Sequence, residues 1–265
     1  MTKTQVATQE TNTQLPAFLS QTAAPRGSEE IGSDDLSIPR IELIQAMSPQ
    51  KKKSNADKYI EGAEEGMAYN TLTNELYENK LTICPVYFRK EFLVWPKKRN
   101  ADSGSEFKGS FSSLKEALEE VKAQEQPELY HPVETHQHFC LVFNSRTDTW
   151  ESAVISMSSS KLKISKQLNS ILHQRCTSLQ IDRFANKFDL NIVEEKNSKG
   201  EFYNYKPTLA GYVDETTFKQ AEELYLGVKA GERDVSYKEA KEKEVKLVSG
   251  HPEENLSDGE FPEGM

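Results

Sequence analysis

Between Leu81 and Arg99 the chain reads Leu-Thr-Ile-Cys-Pro-Val-Tyr-Phe-Arg-Lys-Glu-Phe-Leu-Val-Trp-Pro-Lys-Lys-Arg. The run is dense in Val, Ile, Tyr, Phe and Trp, and this predicts a long strand rather than a helix. Alternation along that strand would put Tyr87, Arg89 and Glu91 on one face and Phe88, Lys90 and Phe92 on the other. The strand's rings interleaved with fixed positive charge also suit a flexible polyanion, because rings stack on unpaired bases while Lys and Arg track phosphates. The same residues are explained equally by an edge strand with one buried face and a solvated basic end.

Hydrophobic residues make up 36% of the 265 residues, so part of the chain is expected to stay outside any core. Residues 1–35, rich in Thr, Gln, Ser and Glu, are read as a disordered segment, 36–230 as one domain, and 231–265 as a charged, acidic tail. The net charge of -9 is unevenly spread. Lys80, Arg89, Lys90, Lys97, Lys98, Arg99 and Lys108 outnumber the acids of their window, and a second basic window covers 157–187. The carboxylates gather after Asp214. Cys84, Cys140 and Cys176 are odd in number and far apart, as reduced thiols in a cytoplasmic protein would be. No apolar run approaches membrane-spanning length, so no membrane partner is expected.

Two hairpins are predicted: His138–Asn144 returning as Thr149–Met157, and Phe184–Val193 returning after Gly200, which would take a positive φ. Three helices are predicted as well. Ser113-Leu-Lys-Glu116 has capping-box spacing, with Leu114, Ala117, Leu118 and Val121 as the inner face. In 158–175, Ile164, Leu168, Ile171 and Leu172 share one side opposite Lys163 and Lys166, and the preceding serines would cap it. Asp214 would cap a last helix facing inward through Phe218, Ala221, Leu224, Tyr225 and Val228. Phe88, Phe139, Phe143, Phe188 and Phe202 are the expected core rings. The fold class is α+β, mainly β: an OB-like small barrel or a twisted antiparallel sheet with accessory helices.

No phosphate loop, dinucleotide fingerprint or nucleophile elbow is present, and acids do not cluster in the basic middle, so no catalysis is expected. His136, His138 and Cys140 alternate and would share a strand face, with Cys84 as a fourth zinc ligand. Loop histidines and a small buried cysteine explain that alternation as well, and no cofactor is expected. The residues assigned to nucleic acid are Tyr87, Phe92, Trp95, Trp150, Tyr203 and Tyr205 for stacking, and Arg89, Lys90, Lys97, Lys98, Arg99, Lys163 and Lys166 for phosphates. Asp258, Glu260 and Phe261 are assigned to a protein partner, with Phe261 as the apolar anchor.

Ile38-Pro-Arg-Ile-Glu-Leu-Ile-Gln, Pro85-Val-Tyr-Phe-Arg-Lys-Glu-Phe-Leu-Val-Trp, the Ser158–Ser170 segment and Lys196-Asn-Ser-Lys-Gly-Glu-Phe-Tyr together resemble segments of small bacteriophage replication and recombination proteins. The resemblance is nearest to phage single-stranded DNA-binding proteins. It implies an OB-type barrel, no enzyme activity, coating of single strands in the host cytoplasm, and a tail that recruits phage or host replication proteins. Many such tails end on an aromatic residue, whereas here Phe261 is followed by four more residues. A strand-annealing recombination protein and a non-enzymatic phage structural or host-interaction protein are the alternatives.

Overall fold

A computed structural model describes residues 38–97, 107–197 and 200–234, together with Gly27 and Glu30. The predicted long strand is present as β4 (Lys80–Pro96). Before it come β1 (Ile41–Leu43), β2 (Ala68–Asn70) and β3 (Leu76–Tyr77), which form their own antiparallel sheet in that order. After it come β5 (Gly109–Phe111), α1 (Leu114–Ala123), β6 (Tyr130–Asn144), β7 (Thr149–Ser158) and α2 (Leu162–Leu179). The chain continues through β8 (Asn186–Asn197), β9 (Gly200–Tyr212) and α3 (Glu215–Ala230).

The described residues fall into two compact units, one running up to Lys90 and resuming at Thr135, the other lying between Glu91 and Glu134. In the first unit the large sheet has the order β7-β6-β4-β8-β9. The antiparallel sheet expected from the sequence is there. The OB-like barrel is not, because among the described residues β7 and β9 stay at opposite ends of an open sheet. Both predicted hairpins form, β6 with β7 from Thr135↔Ser158 to Asn144↔Thr149, and β8 with β9 ending at Asn197↔Gly200. Gly200 has φ +127°, the region that glycine enters without a side-chain clash.

The sheet of the first unit is covered on both faces. Cys140, Val142, Ile83, Phe188, Leu190 and Tyr205 pack with Ile164, Leu168 and Leu172 of α2, and with Ile41, Ala68 and Tyr77 of the small sheet. On the other face the alternate residue Phe139 meets Tyr87, whose ring also touches Tyr225 of α3. Asp214 caps α3 as expected, accepting from the Thr217 N–H at 2.9 Å. The serines before α2 do not cap it. They lead into a 3-10 turn at Ser159–Lys161, so the residue at the cap position is Lys161, which makes no side-chain cap bond. Of the expected core rings, Phe139 and Phe188 are fully buried, while Phe88, Phe143 and Phe202 are half-buried.

In the second unit β5 pairs with the end of β4, Phe92 opposite Phe111. Ser113 caps α1 by accepting from the Glu116 N–H, but the Glu116 carboxylate accepts from the Ser112 hydroxyl instead of closing the box. The inner face of α1 is narrower than its pattern: Ala117 and Val121 join Phe92 and Val94 in a small core, whereas Leu114 and Leu118 remain 47% and 41% exposed. Among the described residues no helix is long and apolar enough to cross a membrane.

Candidate nucleic-acid interface

β4 presents its aromatic and basic residues to two different environments, as its alternation requires. On the α3 side, the Tyr87 ring lies 6.1 Å from those of Phe139 and Tyr225, and Tyr225 lies 5.8 Å from Phe184. The Arg89 guanidinium lies over the Phe139 ring at 5.2 Å and engages the Asp234 carboxylate through both of its terminal nitrogens. On the α2 side, Phe88 packs against the rings of His136 and His138 at 5.1 and 5.3 Å. Lys90 is exposed.

Behind Phe88 lies a buried hydrogen-bond chain. Arg183 donates through Nη2 to Asn169 Oδ1 at 2.9 Å and to His138 Nδ1 at 3.3 Å. Arginine can only donate, so His138 Nδ1 accepts and the proton of the neutral ring sits on Nε2. That Nε2 then donates to Ser165 Oγ at 2.7 Å, and the Ser165 hydroxyl donates in turn to His136 Nδ1 at 2.7 Å. Burial is the main reason that His138 is held well below its ordinary pKa of 6.5, with the charge of Arg183 and the neighbouring His136 adding to it. Arg183 is itself lowered to about 10 by burial.

His136 and His138, which alternate with Cys140 along β6, both belong to this hydrogen-bond chain. The two imidazoles converge on a serine, the Cys140 thiol points to the Ala153 carbonyl at 3.5 Å, and Cys84 donates to the Phe184 carbonyl at 3.2 Å. Burial pushes the Cys84 thiol up to about 12. No group of three or more His, Cys, Asp or Glu able to hold a metal occurs among the described residues.

The remaining assigned residues differ in how exposed they are within each unit. Tyr205 is 1% exposed in the core of the first unit and Phe92 is 8% exposed in the core of the second, so neither offers a ring face to a base. Burial drives the Tyr205 hydroxyl well above the ordinary phenol range. Tyr203 is half-buried, and its backbone is held at both N–H and C=O by the Gln45 side-chain amide, at 2.8 and 2.9 Å. Trp150 is half-buried against Phe143 at 5.3 Å. Lys163 is bound to Glu195 at 2.8 Å, and Lys166 is exposed.

In the second unit, Trp95 is half-buried and lies 4.7 Å from Phe107, while Lys108 Nζ lies 5.1 Å from the Tyr130 ring and Lys97 is exposed. Lys98, Arg99, Asp258, Glu260 and Phe261 lie outside the described residues, as do residues 1–26 and 235–265 of the segments read as disordered or tail. Asp234, Glu195, Ser165 and Asn169 hold Arg89, Lys163, His138 and Arg183, respectively, and are not among the site residues expected from the sequence. Ser165 and Asn169 do carry a signal, since their i, i+4 spacing puts two polar groups on one side of α2. Asp234 and Glu195 carry none, because only the fold brings them to their cations.

Fold and site together define a mainly antiparallel α+β protein of two units, with a long aromatic-basic strand passing through both. A family model described as Pam3 phage gp34-like protein matches residues 8–234, and the chain belongs to that phage protein family. No curated protein matches the chain, and no solved structure does.

Proposed function

We propose that the chain is a sequence-nonspecific single-stranded DNA-binding protein, acting without catalysis in phage DNA replication or recombination. The observation that carries this reading is the group at the end of β4. There a half-buried Trp95 and the Lys108-bearing ring of Tyr130 lie in the unit that also exposes Lys97, immediately before Lys98 and Arg99 in the sequence. Rings with an accessible face and adjacent cations are what an unpaired strand requires, and no base-specific contact is needed. On this reading the protein works in the host cytoplasm, and Asp258, Glu260 and Phe261 engage phage or host replication proteins.

The test uses the full chain carrying Trp150→Phe, which leaves Trp95 as the single tryptophan. Titration with oligo-dT should quench its fluorescence at low salt and lose the signal as salt rises. Trp95→Ala should weaken binding on the order of tenfold, the value of one stacked base. Equal binding to duplex, or no quenching at any salt, refutes the proposal. Faster pairing of complementary strands would reassign the chain as an annealing protein.

A second reading is a non-enzymatic phage structural or host-interaction protein, and one observation favours it. Lys80, Arg89, Arg146 and Lys163 are each paired with a carboxylate, which removes much of the positive field counted along the sequence. Such a protein would ignore oligonucleotides at any salt.

A further inference from the structure

The first unit carries an open cleft of about 310 Å³ between β4, the Arg183–Ala185 turn and α3. Tyr87, Phe184 from the turn and Tyr225 from α3 give it an aromatic wall, while Phe88 lines it with its ring turned away to His136 and His138. The Tyr225 ring is in contact with those of Tyr87 and Phe184, so these rings form a continuous surface. Asp182 and Glu222 stand at the edge of the cleft, both exposed. Neither carboxylate has a hydrogen-bond or ion-pair partner among the described residues. Most other acids of this unit that the fold brings near a cation are paired, as Asp189 and Glu195 are. Leu226 completes the rim and is 58% exposed.

The charges at the cleft decide what can enter it. Arg183 also lines it, with Nη2 turned inward to the neutral His138 and Asn169, so its charge is not cancelled. Against that one cation stand the two exposed carboxylates, which leave the lining net negative. A cation is drawn both by those carboxylates and by the electron-rich ring faces. Beside the cleft, Lys229 Nζ donates to the Tyr225 hydroxyl at 3.2 Å and lies 5.4 Å from that ring's centroid.

We propose that this cleft receives an arginine side chain from a basic segment of a partner protein, with an apolar neighbour of that arginine resting on Leu226. A planar guanidinium fits better than an ammonium, because it stacks on rings and forks onto a carboxylate at the same time. The site is separate from the nucleic-acid proposal, and either can fail without the other.

The probe is the capped pentapeptide Gly-Leu-Arg-Leu-Gly, compared with versions carrying citrulline or lysine in place of arginine. The readout is the methyl resonances of Leu226 in the labelled full chain. The arginine peptide should shift them saturably, the lysine peptide should bind several-fold more weakly, and the citrulline peptide should leave them unmoved. Asp182→Asn with Glu222→Gln should weaken the arginine peptide at least tenfold without changing the thermal midpoint. Removing the same charge elsewhere, through Glu119→Gln with Glu120→Gln, should change its affinity less than twofold. Equal binding of the citrulline peptide, equal loss in both double variants, or displacement of the arginine peptide by oligo-dT would each overturn the assignment.

Discussion

Lowering the pH should destabilise the protein in a window that isolates His138. This ring is buried and accepts from Arg183, so it stays neutral in the folded state, with its pKa well below 6.5. In the unfolded chain it takes up a proton near 6.5. The unfolded state therefore binds more protons as pH falls below that value, and stability must drop. Above about pH 7.5 the contribution is constant; below 6.5 it declines with a slope that approaches about 1.4 kcal/mol per pH unit, the limit for one proton. Carboxylates do not confuse this window. Asp214 is held low by the Thr217 N–H and Glu195 by Lys163, so each loses its contribution only as pH falls below 3.8 and 4.5, respectively. Urea unfolding at pH 8, 7, 6 and 5 measures the slope. His138→Gln cannot titrate, so it should cost stability at pH 8 yet flatten the decline by about one proton. An unchanged slope in that variant would refute the hydrogen-bond chain as drawn, since it would mean that His138 charges in place.

Two further perturbations probe the first unit. Gly66→Ala should cost about 2 kcal/mol, seen as a lower urea midpoint: the glycine has φ +84°, and a Cβ there would lie 2.6 Å from the ring of Tyr203, whose backbone Gln45 already holds. A neutral result would show that this ring swings aside freely. Asp214→Ala removes the acceptor for both the Thr217 N–H and the Thr217 hydroxyl, the latter at 2.7 Å, and should cost about 1 kcal/mol. Amide exchange in the first turn of α3 should accelerate before exchange elsewhere in that helix.

What the sequence made legible is what short-range chemistry decides. The β-branched and aromatic run became β4, the turn residues placed two hairpins, and Ser113 and Asp214 stood where caps are needed. Periodicity also showed which residues share a face, since Tyr87 and Phe88 do point opposite ways. It could not show what covers each face. Had one face of β4 been open, its rings would have been available to bases. With α2 and the small sheet on one side and α3 on the other, Tyr205 becomes core and Tyr87 becomes part of an aromatic surface shared with Tyr225.

Charge is only partly legible in the sequence for a related reason. A window along the chain counts only cations and acids that are neighbours in sequence, whereas folding neutralises cations from a distance. Asp234 reaches Arg89 across 145 residues, and Glu195 reaches Lys163 across 32. A local excess of Lys and Arg is therefore an upper bound on the field a ligand meets, and the bound loosens as distant acids become available. The same argument applies in reverse to Asp182 and Glu222. In an acidic chain they read as ordinary solvated carboxylates, and only the fold sets them beside rings, with no ion-pair partner among the described residues. The informative charges are those without a partner among the described residues: Asp182 and Glu222 sit at an aromatic cleft, where a cation is the matching ligand.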